Sequence, residues 1–149
     1  MKHLFFVAGE SSGDIHGSNL IRAILEQDAS IQCEGIGGRR MESEGMTLHF
    51  DLASRAIMGF FEVIKSFGFI RALFHETLGR IRDTKPDAVV LIDYPGFNIR
   101  LAKEIKKLGI PIIFYISPQV WAWKKGRVKT LAETVNKMLV ILPFEKPLY

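Results

Sequence analysis

A single cysteine, Cys33, stands among the 149 residues, so the chain forms no internal disulfide and a reducing compartment is the simpler reading. Its four histidines, His3, His16, His49 and His75, have no metal-site spacing, and one cysteine cannot complete such a site. Neither a metal nor a cofactor is therefore expected. Low-complexity tracts and internal repeats are lacking as well. A confident membrane span is missing too: the most apolar stretch, 57–74, is interrupted by Gly59 and Gly68 and carries Glu62, Lys65 and Arg71. The early run Leu4-Phe5-Phe6-Val7-Ala8 is closed by Gly9-Glu10, too soon for the core of a signal peptide, and reads as a buried strand. The net charge of +4 is too small and too scattered to argue for nucleic acid; it suits a phosphate or an acidic membrane surface.

What is present is the composition of one soluble globular domain, 48% hydrophobic and 24% charged, long enough to bury a sizeable core. Apolar runs alternate with amphipathic stretches. Strands are expected over Leu4–Ala8, Ile31–Ile36, Ala88–Ile92, Ile112–Ile116 and Met138–Leu142. Helices are expected from Ile15 to Leu25, over a turn or two at Arg39–Glu44, from Ile99 to Leu108, and over Arg127–Val135. Strands without polar alternation, separated by amphipathic helices, indicate a parallel sheet covered on both faces: an α/β, doubly wound, Rossmann-like domain. Such sheets bind ligands beyond the carboxyl ends of their strands. Three unusual segments fall there: Gly9–Asp14, Asp93–Asn98 and Ser117–Trp123.

Gly9-Glu10-Ser11-Ser12-Gly13 matches the G-x-S-x-G elbow of hydrolases, with Ser11 as the nucleophile. Against that, the turn follows the first strand, and His49 and His75 fall in or beside helical stretches rather than on a late loop. The competing reading is a glycine-rich turn whose backbone N–H groups, with Gly9, Ser12, Gly13 and Asp14, hold a phosphate or sugar hydroxyl. Asp93, at a strand end beside Tyr94-Pro95-Gly96-Phe97-Asn98, is placed as a general base, its pKa raised by partial burial; equally, Asp93 or Asn98 caps the next helix. Ser117-Pro118-Gln119-Val120-Trp121-Ala122-Trp123 gathers both tryptophans, either as a sugar-stacking wall or as a satellite core cluster. In 57–74, 12 of 18 residues are hydrophobic, among them Phe60, Phe61, Phe67, Phe69 and Phe74. This stretch is either an interfacial helix meeting lipid through those phenylalanines or a helix buried between the sheet and another domain.

Read in order, these segments resemble the lipid-A-disaccharide synthases. The resemblance runs through Ala8–Asp14, Gly35-Ile36-Gly37-Gly38-Arg39-Arg40-Met41 with Glu44-Gly45, Met58–Val63, Lys85-Pro86-Asp87 and Ile92–Asn98. It ends on Tyr115–Trp123 and Leu142-Pro143-Phe144-Glu145-Lys146. It implies the N-terminal, acceptor-binding half (1–149) of a GT-B inverting glycosyltransferase, the nucleotide-binding domain lying outside this chain. The implied reaction moves 2,3-diacylglucosamine from its UDP derivative to the 6-hydroxyl of 2,3-diacylglucosamine 1-phosphate, releasing UDP. The implied partners are the acylated glucosamine phosphate acceptor, the UDP-sugar donor and the inner-membrane surface. The implied location is cytoplasmic, peripheral on the inner membrane of a Gram-negative bacterium. Asp93 matches the family's essential acid. Glu10, Ser12 and Asp14 match its glycine turn, Glu10 being the second candidate for the base, and Asn98, Ser117, Trp121 and Trp123 are expected to touch substrate. Where many members carry a second acid this chain has Gly96, so no acid role carries over there. Two rival functions remain: a non-catalytic lipid- or membrane-binding module, and an acyl hydrolase using Ser11.

Overall fold

The computed structural model describes residues 2–53, 67–115 and the strand 137–139. Six strands form one sheet: β1 (His3–Ala8), β2 (Gln32–Gly37), β3 (Thr47–Asp51), β4 (Ala88–Ile92), β5 (Ile112–Tyr115) and β6 (Lys137–Leu139). Their spatial order is β3-β2-β1-β4-β5-β6, and every pairing is parallel. Between them lie α1 (Ser11–Gln27), α2 (Arg39–Ser43), α3 (Phe67–Thr84) and α4 (Pro95–Lys107). The chain winds outward from β1 in one direction and from β4 in the other, so the strand order reverses between these two central strands. That crevice is where open α/β sheets take their ligands.

The core follows from period-two alternation on strands covered on both faces. Phe5 and Val7 of β1, with Val89 and Leu91 of β4, join Leu73 and Ile81 of α3 and Leu101 and Ile105 of α4. Phe6 and Ala8, with Val90 and Ile92, face Ile21 of α1 and Met41 of α2 on the other side. β1 and β4 are in register to their ends, Ala8 opposite Ile92, so the segments that follow them leave the sheet level with one another. At the opposite end the two strands are clamped reciprocally: His3 N–H donates to Asp87 Oδ2 at 2.7 Å and Asp87 N–H to His3 O at 2.8 Å.

Where the described residues cover them, the expected strands and helices appear with shifted bounds, and β3 is an addition. α4 begins at Pro95 rather than Ile99; proline at its first turn lacks only an N–H that no helix bond requires. The apolar stretch 57–74 is seen from Phe67 onward, as the start of a helix that runs to Thr84. Its earlier part, and the helix expected over 127–135, lie outside the described residues.

Gly35 has φ +152°, and a Cβ there would strike the backbone of Phe6, where the β2–β3 register shifts. Gly35→Ala combines a conformation reserved for glycine with a collision against β1. It is expected to cost about 2–4 kcal/mol, read as a lower urea midpoint at unchanged slope.

Candidate active site

The turn after β4 is the most unusual backbone in the described protein. Asp93 (φ 46°) and Tyr94 (φ 49°) are consecutive non-glycine residues in the left-handed region, and each such residue costs about 1–3 kcal/mol. A neighbour on α4 holds them there. Asn98 is fully buried, and its side-chain amide donates to Asp93 O at 2.8 Å, with longer approaches to Ile92 O and Val7 O at 3.4 Å. Its backbone N–H donates to Tyr94 O at 2.9 Å. Tyr94, not Asp93, occupies the position preceding α4, and no side chain caps that helix. The capping alternative for Asp93 and Asn98 is thereby set aside.

The turn after β1 comes up beside it. Gly9 is buried against the Tyr94 ring, where any Cβ would overlap the ring carbons. Glu10 follows, exposed, with its carboxylate uninvolved in capping α1. Burial raises the Asp93 pKa above the ordinary carboxylate value, and the negative charge of Glu10 raises it further; the Tyr94 N–H and His16 act the other way. Burial and then Glu10 raise the Tyr94 phenol likewise. Asp93, Glu10, Tyr94 and His16 thus form one electrostatic cluster at the switch point: a half-buried acid suited to take a proton, an exposed acid, a phenol held protonated, and an imidazole.

The other expected site residues are distributed differently. Gly13 is buried against Ala8 and Ile92, and Ser12 is exposed on the first turn of α1. Asp14 is engaged elsewhere: buried, its carboxylate accepts the N–H groups of Met41 (3.0 Å) and Arg40 (3.3 Å), and so caps α2. Asn98 supports the elbow from beneath. Ser117, Trp121, Trp123, Phe60 and Phe61 lie outside the described residues. Of the phenylalanines expected to meet lipid, Phe67 is 74% exposed, whereas Phe69 and Phe74 pack against the core beside Phe50 and Phe97. Sequence reasoning passed over Tyr94 and His16; the α1 start at Ser11 is what brings His16 round toward Asp93.

His49 is corrected. It lies within the strand β3, and its Nε2 meets Glu34 Oε1 at 2.9 Å while His3 Nε2 meets Oε2 at 2.5 Å. It is thus tied to Glu34 on β2. Nor is Ser11 on a strained elbow: among the described residues that geometry follows β4.

The fold and the cluster define a Rossmann-like α/β domain of the GT-B type, with paired acids at its switch point. A UDP-GlcNAc 2-epimerase from Neisseria meningitidis, solved bound to UDP-GlcNAc, shares this fold with a TM-score of 0.54 at 12% identity, over 94% of this chain and 45% of that one. The chain belongs to the lipid-A-disaccharide synthetase family, whose model matches residues 4–149. It is 47% identical over 148 residues to the lipid-A-disaccharide synthase of Syntrophus aciditrophicus and 38% identical over 148 residues to that of Coxiella burnetii. In each case it covers 99% of this chain but 39% of the relative's length.

The two aspartates should separate in a stability measurement. Asp14→Ala strands two N–H groups at the start of α2 and is expected to cost about 1–2 kcal/mol. Asp93 has a folded pKa above its unfolded one, so the folded state keeps that proton to higher pH. Its contribution is therefore full below the unfolded pKa and is lost as pH rises through the folded one. Asp93→Asn is expected to remove that decline and to melt at or above the wild-type temperature at neutral pH, checked by thermal melts across the acid range.

Proposed function

We propose that this chain is the acceptor-side domain of a glycosyltransferase that makes lipid A disaccharide 1-phosphate and UDP from the UDP derivative of 2,3-diacylglucosamine and 2,3-diacylglucosamine 1-phosphate. The observation that carries the reading is Asp93 on its strained elbow, half-buried beside Glu10, in a chain 47% identical to a lipid-A-disaccharide synthase. An inverting transfer needs a base to take the acceptor hydroxyl's proton as the bond to the donor sugar forms. A carboxyl with a raised pKa is stronger in that role than an ordinary one, provided it is ionised at the working pH. Glu10, exposed at the next turn, is placed to orient the sugar or to receive the proton in turn. The Tyr94 phenol, kept protonated, has a hydrogen to donate to a sugar or phosphate oxygen.

The donor site is assigned to a second domain beyond these residues, in keeping with the 39% of the relatives' length that the chain spans. No helix among the described residues is long and apolar enough to cross a membrane. The proposed location is peripheral, on the inner membrane, with Phe67 at the exposed start of α3 among the groups that meet lipid.

Residues 1–149 by themselves are expected to form no disaccharide, since nothing in this reading lets them hold the UDP. The direct test grafts the chain in place of the matching residues of the S. aciditrophicus enzyme. The chimera should turn over, and Asp93→Asn within it should lower kcat by roughly 100- to 10,000-fold with little change in melting temperature. A folded chimera whose Asp93→Asn form keeps wild-type turnover refutes Asp93 as the base. A folded, lipid-binding chimera with no turnover favours the non-catalytic module.

A further inference from the structure

α3 runs toward the amino end of β4 and α4 runs away from its carboxyl end, so both helices begin at the same sheet edge as the acid cluster. Between their first turns lies a cleft of about 530 Å³, within the range of small-molecule sites. One wall is the i, i+3, i+4, i+7 stripe of α3: Phe67, Ile70, Arg71 and Phe74. The other is Tyr94, Gly96, Phe97 and Arg100. Three features point to one kind of occupant. The walls are apolar except for two exposed arginines, neither of which makes an ion pair among the described residues. The lining at Gly96 is open, since a Cβ there would meet nothing within 4 Å. Tyr94 is shared, lining the cleft, stacking on Phe97 at 5.4 Å and covering Gly9 of the acid-bearing turn.

We propose that this cleft takes a single acyl chain of an anionic lipid, with Arg71 and Arg100 holding its phosphate or another anion near the mouth. This deepens the acceptor reading, on which it rests, by placing one acyl chain of the acceptor against the far side of Tyr94 from the carboxylates. An apolar wall rewards chain length and an arginine pair rewards a dianion, so the two halves of the ligand are separable in measurement.

The test is calorimetric titration of the 149-residue chain with dodecyl phosphate below its micelle concentration, with decyl phosphate, with dodecyl glucoside and with inorganic phosphate. Saturable binding of dodecyl phosphate is expected, weakening about fourfold per methylene removed, or roughly 15-fold for decyl phosphate. The neutral glucoside should bind more weakly, and inorganic phosphate should not displace the chain. Gly96→Leu should abolish binding without lowering the melting temperature, because its side chain enters empty space and its backbone is not left-handed. Should that variant misfold, the exposed pair Arg71→Glu and Arg100→Glu provides the second reading, by erasing the preference for phosphate over glucoside. Absence of saturable binding by the intact chain overturns the proposal, as when residues 54–66 fill the cleft or when lipid is met only as a bilayer. So does dodecyl phosphate binding that Gly96→Leu leaves untouched. Failure here is distinguishable from failure of the enzymatic reading. In the chimera, Gly96→Leu should raise the acceptor KM with little effect on kcat. An active chimera indifferent to Gly96→Leu removes the cleft alone, and an inactive chimera that still binds dodecyl phosphate removes the transferase alone.

Discussion

Asn98 lies with no exposed surface where β1, β4 and the start of α4 converge, and its amide protons go to carbonyls of both strands. Two adjacent left-handed residues are sustainable only if something nearby stabilises that conformation more than any relaxed alternative. A buried amide donating at 2.8 Å to Asp93 O meets this requirement, because relaxing the turn would leave donor and acceptor unpaired in the core. An aspartate at position 98 would set a carboxylate against those three carbonyls and remove the donor. From this bond follow the left-handed turn that carries Asp93, the placement of the Tyr94 ring over Gly9, and the wall that Tyr94 offers to the cleft.

The protein contains two buried or half-buried aspartates near one crevice and uses their charge in opposite ways. Asp14 is surrounded by backbone N–H groups of α2, which solvate its carboxylate and make it part of the scaffold. Asp93 is taken from water with little in return, and a second acid stands beside it. Charge that is satisfied holds the fold together, and charge that is left wanting is available for chemistry.

Much of this was readable beforehand, and the exceptions have physical reasons. β4 is legible because Ala88–Ile92 is an unbroken apolar run, and β1 and β5 carry similar runs in Leu4–Ala8 and Ile112–Phe114. β3 escaped because an edge strand is only half-covered, and Thr47-Leu48-His49-Phe50-Asp51 has no apolar run to betray it. Asp93 was found by its place at a strand end. Its left-handed backbone was not, since neither aspartate nor tyrosine signals that region and the cause lies five residues on, in Asn98. The G-x-S-x-G-D string points to Asp14 as a ligand-binding residue and says nothing about a second helix, which a strand and a turn later bring within reach of its carboxylate. The phenylalanines of 57–74 were treated alike, although a helix face divides them: Phe67 is left in solvent while Phe74 is directed onto Phe97.

The reciprocal bonds between His3 and Asp87 span 84 positions of chain, and they join the two strands whose ends carry the acids. Local contacts alone can raise α1 or α4, but the crevice exists only after that long loop has closed. In order of synthesis the first acid-bearing turn precedes β4 and Asn98 by about 80 residues, so its partner turn is absent until that stretch has been made. A chain in which β1 and β4 have not paired holds the apolar strands of this domain without the crevice between their ends.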